Sequence, residues 1–279
     1  MQKIQYNRKK LISHYSISDE HTRLHDSRGQ LEFLRSLAIL RRCLPPAPAI
    51  IYDIGGGTGP YAFRLTAKGY AVHLIDPVPG HIETAERLIK RGEAPPLASL
   101  AVGDARHPEL PAGAADAVLL MGPLYHLQEK SERMQALRKS RELLKPKGTL
   151  AAVGISRFAS LIDGLHSGYF RDPVFRDIIR GDLENGMHRN PTANPAYFTD
   201  TFFHHPEELR DEILEAGFRD VELSTIEGLG YLMQDFAARW QNTEYRDFLL
   251  EVIEKTDKEP ALIGASPHIM CTGVKGSAS

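Results

Sequence analysis

The chain of 279 residues lacks the features that mark several large classes of protein. It has only two cysteines, Cys43 and Cys271, which lie near opposite ends and form no CxxC pair. This excludes a disulfide-dense secreted fold and makes a zinc site built on thiolates unexpected. No apolar run approaches membrane-spanning length, and the N-terminus has no apolar signal-peptide core. These absences predict a cytoplasmic protein with no membrane partner.

The chain also lacks a surplus of charge of either sign. It has 34 Lys and Arg against 36 Asp and Glu, which gives a formal net charge of −2. Proteins that bind duplex nucleic acid or tRNA usually carry a basic surplus or stripe, so no nucleic-acid partner is expected. There is no internal repeat or low-complexity segment, and the 42% hydrophobic content is ordinary for a globular protein.

What the chain does contain, between residues 49 and 155, is a regular alternation of short apolar runs with helical stretches. Such alternation predicts right-handed βαβ units and therefore an α/β protein with a parallel sheet. The runs are almost continuously apolar, which is typical of strands covered by helices on both faces. The five predicted strands are Ala49–Ile54, Tyr70–Ile75, Leu97–Val102, Asp116–Met121 and Thr149–Ile155.

Three further segments flank this core of residues 49–155. Residues 1–48 read as a helical leader that ends at a proline-rich break. Residues 156–205 are rich in aromatic residues, His, Arg, Asn and Pro, and are too long for a plain loop. We predict that they form an inserted cap with short helices over the acceptor site; a homodimer interface is the alternative. Residues 206–279 complete the sheet, with a last strand at Pro267–Val274.

The strongest local motif is a glycine-rich turn between the first strand and the next helix. It reads Asp53-Ile54-Gly55-Gly56-Gly57-Thr58-Gly59. Glycines allow a ligand to approach the backbone, and the helix N-terminus offers free N–H groups. The dinucleotide fingerprint G-x-G-x-x-G/A would place its third glycine or alanine at Pro60, so the spacing disfavours a dinucleotide enzyme.

Three more motifs follow the second, third and fourth strands. Asp76 is placed to accept hydrogen bonds from a ribose diol, and Asp104, in Gly103-Asp104-Ala105, from an adenine amine. The segment Met121–Leu127 follows the fourth strand. In open α/β sheets ligands bind at the carboxyl ends of the strands, so the four motifs predict one site. Each Asp read alone is also compatible with a simple turn residue.

Together with Leu143–Gly148, these motifs resemble the class I S-adenosylmethionine-dependent methyltransferases, with the bacterial small-molecule enzymes as the nearest group. The resemblance covers about residues 49–155 and implies a Rossmann-like, seven-stranded, mostly parallel sheet whose last strand is antiparallel. It implies S-adenosylmethionine as cofactor, with the glycine motif from Asp53 onward in the cofactor site. The implied contacts are Gly55, Gly57 and Gly59 at the methionyl part, Asp76 at the ribose, Asp104 and Ala105 at the adenine, and Met121 and Gly122 at the amino group.

In similar enzymes the segment before the first strand folds over the cofactor as a lid. A Tyr or Arg there, such as Tyr15, Arg23 or Arg35, would hold the methionyl carboxylate, and Glu32 lies in the same segment. The alternative is a surface helix that packs through its apolar stripe. The residues favour the lid and the surface helix equally.

The reaction implied is transfer of a sulfonium-activated methyl group to an O, N, S or C nucleophile of a small molecule. The protein then supplies mainly position and exclusion of water. His126 is the candidate general base, and Tyr125 is the second candidate. The alternative role for His126 is a structural one, as a residue that flanks a helix. No metal is predicted, since His166, His188 and His204-His205 show no ligand spacing.

Three other functions compete with this interpretation. A nicotinamide-dependent oxidoreductase is disfavoured by the glycine spacing. A non-catalytic protein that binds the cofactor, and an enzyme that cyclises it or transfers its aminocarboxypropyl group, both remain open.

Overall fold

The structure, a computed structural model, describes residue 24, residues 26–192 and residues 194–277. Tyr15 and Arg23 therefore lie outside the described residues. The helices are α1 (Ser27–Cys43), α2 (Pro60–Thr66), α3 (Pro79–Lys90), α4 (Pro123–His126), α5 (Lys130–Leu143), α6 (Ala159–Ser167), α7 (Pro173–Asn185), α8 (Pro206–Glu215), α9 (Phe236–Gln241) and α10 (Thr243–Thr256). The strands are β1 (Ile50–Ile54), β2 (Ala71–Asp76), β3 (Ser99–Val102), β4 (Ala115–Leu120), β5 (Leu144–Ser156), β6 (Met187–His188), β7 (Thr201–His204), β8 (Phe218–Thr225) and β9 (His268–Lys275).

The strands form one mostly parallel sheet. Its order is β3-β2-β1-β4-β5, after which β9 pairs with β5 and β8 pairs with β9. The first five are parallel, and β9 runs antiparallel between β5 and β8, with Thr149 opposite Val274 and Ile155 opposite His268. The predicted Rossmann-like sheet with an antiparallel last strand is confirmed.

Two strands were not expected. β7 pairs in parallel with Ile155 and Ser156 at the end of β5, and β6 pairs with β7. Because β9 already pairs with Ile155, β7 must lie on the other edge of β5, beyond the last β4 pair at Leu120 and Ala152. The inserted segment was predicted to hold short helices, and its strands were missed because strands of two and four residues leave almost no periodic signal. The sheet therefore has nine strands rather than seven.

β5 also begins earlier than its apolar run. It starts at Leu144, directly after α5, and passes through Pro146 and Lys147, where Lys147 has a φ of +66°. The pairing with β4 shifts register between Ala115 and Ala117 at this irregular start. The sequence predicted a strand only from Thr149, and the structure extends it back to Leu144 through a distorted entrance.

Apolar residues fill both faces of the sheet. Successive residues of β1 alternate between faces, so that Ile51 belongs to one cluster and Tyr52 and Ile54 to the other. The inserted segment has a small cluster of its own, formed by Phe175, Ile178, Ile179 and Tyr197 with Tyr169 packed against it. That cluster is separate from both sheet faces.

Helix α1 lies against the sheet and is tied to the last helix. Its Arg35 is 1% exposed and donates to the carboxylate of Asp257 at 2.6 Å, and Arg42 donates to the same carboxylate. Ile39 and Leu40 pack into one face of the core. No helix among the described residues is long and apolar enough to cross a membrane.

Candidate functional site

The glycine turn joins β1 to α2 in a conformation that few other residues adopt. Gly55, Gly57 and Gly59 have φ values of +71°, +61° and +90°. A Cβ on Gly56 would lie 2.5 Å from a carboxylate oxygen of Asp53, and one on Gly55 would lie 2.6 Å from Cγ of Pro123. The turn therefore presents bare backbone at the carboxyl end of β1.

Asp53 lies beneath this turn and lacks a partner. Its side chain is fully buried, and among the described residues neither carboxylate oxygen has a hydrogen-bond partner. Burial, reinforced by the nearby charge of Asp76, raises its pKa to about 7. A buried carboxyl group with no donor is costly, so Asp53 is a source of electrostatic cost beneath the turn.

Asp76, at the end of β2, is buried and partly engaged. It accepts hydrogen bonds from the backbone N–H groups of Gly57 and Val78, both at 2.9 Å, and lies 3.0 Å from Nδ1 of His81. It thus holds the glycine turn to β2. His81, in the first turn of α3, was missed by the sequence analysis because a single histidine on a helix has no distinctive spacing.

Asp104 lies on the wall of the site, but both of its oxygens are engaged by one side chain. Nε and the backbone N–H of Arg106 donate to Oδ1 at 2.9 Å, and Nη2 donates to Oδ2 at 2.7 Å. Burial opposes the charge on Asp104, but Arg106 outweighs it and holds the pKa of this carboxyl below its usual value. The sequence analysis treated Asp104 as an isolated acceptor and overlooked this ion pair.

The segment after β4 forms another wall. Met121 and Gly122 follow the strand, and α4 presents Tyr125 and His126, whose ring centroids lie 4.6 Å apart. Phe198, from the inserted segment, approaches His126 with a centroid distance of 6.5 Å. The two candidate catalytic residues therefore share a wall with part of the insertion.

These walls enclose one cleft at the carboxyl edge of the sheet. Its volume is about 970 Å³, counting the space at its mouth. The residues that line it are Leu24, Glu32, Ser36, Gly55, Gly56, Gly57, Thr58, Pro60, Tyr61, Asp76, Pro77, Val78, His81, Asp104, Ala105, Met121, Gly122, Pro123, Tyr125, His126, Leu127, Val153 and Ile226.

Two residues assigned to the cofactor from the sequence are not on this lining. A Cβ on Gly59 would face Leu74 and Phe63, so Gly59 serves the turn as the N-cap of α2. Asp53 lies under the turn. The other described cofactor and catalytic candidates come together in the cleft, as the strand-end argument expected.

Helix α1 contributes residues that the sequence alone did not distinguish. Glu32 and Ser36 line the cleft from successive turns of the helix. The hydroxyl of Ser36 is fully buried and has no hydrogen-bond partner among the described residues. Arg35 points elsewhere, to Asp257, so the idea that it holds a ligand carboxylate is wrong.

A group of three ionisable residues adjoins the cleft beyond β5. Glu32, Glu227 and His268 each offer a ligand atom within 4.8 Å of the other two. Glu227 is 3% exposed; its Oε1 lies 2.6 Å from Nδ1 of His268, and its Oε2 accepts from the Ser266 hydroxyl at 2.9 Å. Ile226, which lines the cleft, donates its N–H to the carbonyl of His268 at 3.1 Å. This group could not be identified from the sequence, because its members are far apart in the chain.

The comparisons agree on the type of domain. Residues 51–148 match the family model of a methyltransferase domain. No curated protein sequence matches the chain. Among solved structures, one similar fold is a methyltransferase from Thermotoga maritima described as S-adenosylmethionine-dependent and a possible histamine N-methyltransferase, with 17% identity, a TM-score of 0.58, and coverage of 95% of this chain and 99% of that one.

Two other similar structures have different printed activities. The 4+2 cyclase SpnF has 20% identity and a TM-score of 0.55, over 88% of this chain and 82% of that one. Phosphoethanolamine N-methyltransferase 2 from Haemonchus contortus, solved with S-adenosylmethionine, has 17% identity and a TM-score of 0.55. The alignment spans 88% of this chain and 53% of that one. At these identities the likeness establishes the fold.

Proposed function

Since residues 51–148 match the family model of a methyltransferase domain, we propose that the protein transfers a methyl group from S-adenosylmethionine to an O, N, S or C nucleophile of a small molecule. The observation that carries the proposal is the cleft, in which the bare glycine turn, the strand-end Asp76 and the α4 residues Tyr125 and His126 meet. The cofactor, when bound, supplies an electrophilic methyl carbon on a sulfonium.

The residues present fit that cofactor. The bare backbone at Gly55 and Gly57 lines the cleft and admits close contact with a ligand. We assign Asp76 to the ribose hydroxyls and Asp104 with Ala105 to the adenine end. Backbone at Met121 and Gly122 meets the amino group in this assignment.

The acceptor lies, in this proposal, between α4 and the inserted segment. Tyr125 and His126 line the cleft there, and the ring of Phe198 lies 6.5 Å from that of His126. His126 takes a proton from the nucleophile if the nucleophile arrives protonated, and Tyr125 is the second candidate. The segment 156–205 acts as the cap that excludes water.

A small-molecule acceptor is favoured by the enclosure of the cleft and by the charge of the chain. The cleft combines apolar side chains with a few polar groups, as small-ligand sites do. The net charge of −2 gives a polyanionic acceptor no electrostatic advantage. Two similar structures are named for N-methyl transfer involving histamine and phosphoethanolamine, both small molecules.

The test is methyl transfer from labelled S-adenosylmethionine to a metabolite extract and, separately, to bulk tRNA and protein, each with and without a chelator. We expect label in small molecules, and the same activity with the chelator. Label only in macromolecules would contradict the choice of acceptor.

Incubation with the cofactor alone distinguishes other uses of the site. SpnF shows that this fold is compatible with an activity named for cyclisation. Products formed by cyclisation of the cofactor, or acceptors carrying an aminocarboxypropyl group, would replace methyl transfer as the function. Binding without any product would make the chain a non-catalytic cofactor-binding protein.

A further inference from the structure

Phe198, in the inserted segment, has a backbone conformation that side chains rarely adopt. Its φ is +61° and its ψ is −171°, a region that is essentially reserved for glycine. Such strain persists only where the surrounding structure imposes it, and it is often found at functional sites. The ring of Phe198 lies 6.5 Å from that of His126, which lines the cleft. The insertion therefore brings a strained residue next to the candidate base.

Hydrogen bonds anchor both peptide groups that flank the Cα of Phe198. On one side, the carbonyl of Tyr197 lies 2.7 Å from Nε2 of His188, and the N–H of Phe198 donates to the carbonyl of Pro195 at 3.2 Å. On the other side, Nδ2 of Asn190 donates to the carbonyl of Phe198 at 2.8 Å. Because both peptide planes are held, φ and ψ of Phe198 cannot relax to an ordinary conformation without the loss of an anchor.

His188 is the buried anchor. It is 2% exposed, and its ring stacks on that of Phe203 with a centroid distance of 4.5 Å. Since a carbonyl oxygen only accepts, Nε2 of His188 carries a hydrogen and donates to Tyr197. Nδ1 lies 3.0 Å from Oδ2 of Asp182, which is fully buried on α7, and 3.4 Å from the Ser160 hydroxyl. A hydrogen shared between Nδ1 and Asp182 fixes the orientation of the ring.

From this geometry we infer that Asp182 and His188 form a buried clasp that positions Phe198 at the acceptor end of the cleft. The described lining of the cleft includes neither residue, so both are positioning residues that act through the Tyr197 carbonyl. Their effect is to hold the ring of Phe198 beside His126. This inference rests on the proposed function, because it names the residues that shape the acceptor end of the same cleft.

Two substitutions of His188 test the contact with Tyr197. The side-chain amide of Gln reaches the position of Nε2, whereas that of Asn reaches only the position of Nδ1. Hydrogen exchange of the ligand-free protein is followed residue by residue by NMR. We expect the Phe198 amide to exchange at least about 10-fold faster in His188→Asn than in wild type and within about threefold in His188→Gln, as for the loss and retention of one hydrogen bond.

The NMR signals of His126 distinguish a positioning role from a general loss of stability. The ring-proton signals of His126 should shift in His188→Asn in the same direction as in Phe198→Ala, because each change removes the ring of Phe198 from its place. They should stay near their wild-type positions in His188→Gln. His107→Ala, on the exposed surface, is the control and should leave them unchanged.

Methylation of the metabolite extract with labelled cofactor should follow the same pattern. We expect His188→Asn to lower the rate by about 10-fold to 100-fold, as for a misplaced wall of a reactive site, with cofactor affinity unchanged. His188→Gln should retain most of the rate. In a Phe198→Ala background, His188→Asn should cause no further loss, because the two changes act through one ring.

Several results would overturn the inference. They are an unchanged Phe198 amide or unchanged His126 signals in His188→Asn, equal effects of Asn and Gln at position 188, and losses of rate that add to those of Phe198→Ala. An Nε2 of His188 without hydrogen in the ¹H–¹⁵N spectrum of the wild-type protein would do so whether or not the variants fold. Failure of the wild-type protein to bind S-adenosylmethionine would instead overturn the proposed function, since the NMR measurements need no ligand.

Discussion

At the residue scale, two aspartates at neighbouring strand ends differ in how their charge is compensated. Asp76 has two backbone donors and faces His81, whereas Asp53 has no hydrogen-bond partner among the described residues. The first is preorganised for hydrogen bonding to a neutral diol. The second is an electrostatic cost that the fold carries beneath the glycine turn.

Asp76→Ala should weaken binding of S-adenosylmethionine by about 1–3 kcal/mol, because it removes hydrogen bonds to a charged acceptor. Calorimetry measures the loss, and Asp211→Ala on the exposed surface of α8 is the control. Since Asp76 also holds Gly57, the melting temperature of the variant is recorded alongside. Unchanged cofactor affinity in a folded variant would remove Asp76 from the site.

Asp53 should make the ligand-free protein less stable as the pH rises. Its folded pKa of about 7 lies above the ordinary value of 3.8, so the folded state holds the proton more tightly than the unfolded chain. The stabilising contribution of that proton is complete below pH 4 and is lost as the pH rises towards 7. Asp53→Asn should therefore melt at a higher temperature than wild type at pH 8 and show a smaller difference near pH 4.5. Parallel melting curves at both pH values would show that Asp53 is compensated.

His126→Ala tests the candidate base. If His126 accepts the proton of the nucleophile, its loss should lower kcat by about 10²–10⁴-fold with cofactor affinity nearly unchanged. Single-turnover methylation of the acceptor found in the extract measures this. A reduced cofactor affinity with an intact rate would instead make His126 part of the cofactor wall.

At the scale of elements, the inserted segment enters and leaves the fold at neighbouring points. Arg157 donates its backbone N–H to the carbonyl of His204, and Phe203 donates to that of Gly186. Residues 157 and 186 therefore flank the same short strand, β7. A short linker can therefore connect these two points in place of α6 and α7.

Replacing residues 159–185 with a short Gly/Ser linker should preserve cofactor binding and abolish turnover. The cleft lining among the described residues includes none of the replaced ones, which explains the first expectation. Loss of the support for Phe198 beside His126 explains the second. Phe198→Ala serves as a milder variant with the segment intact. Turnover that survives in both would show that the segment is not a cap.

The elements also show what the sequence can and cannot reveal. The core strands of residues 49–155 and the glycine turn were predictable, because continuous apolar runs and glycine spacing are local signals. β6 and β7 were not, since their pairing rather than their own sequence defines them: β7 pairs with the end of β5, and β6 pairs with β7. The same holds for the site: Asp76 follows a strand, whereas Glu227 and His268 meet only through the pairing of β8 with β9.

At the scale of the whole molecule, a buried ionic group joins α5, β7 and α8. Arg133 is 3% exposed and donates to both oxygens of Glu212, with a shortest distance of 2.7 Å. His204, fully buried on β7, lies 3.5 Å from the same carboxylate. Despite burial, His204 and Arg133 lower the pKa of Glu212 to about 2.

Glu212→Gln should lower the free energy of unfolding by about 3–5 kcal/mol, because it leaves the buried charge of Arg133 uncompensated. The wild-type contribution should be present above pH 4.5, the ordinary pKa of the group, and decline as the pH falls towards 2. Urea unfolding at pH 7 and pH 3 measures both, with Glu207→Gln on the surface as control. Cofactor affinity should not change in the folded variant. A loss below 1 kcal/mol at pH 7 would show that Arg133 finds another partner.

The small separate core of the insertion has a kinetic consequence. Phe175, Ile178, Ile179 and Tyr197 pack on one another rather than into either face of the sheet. A unit with its own core can open without unfolding the sheet, so its amide hydrogens should exchange with solvent together and sooner than those of β1 and β4. If the segment caps the acceptor site as proposed, the rate of that opening sets an upper limit on how quickly an acceptor enters and a product leaves.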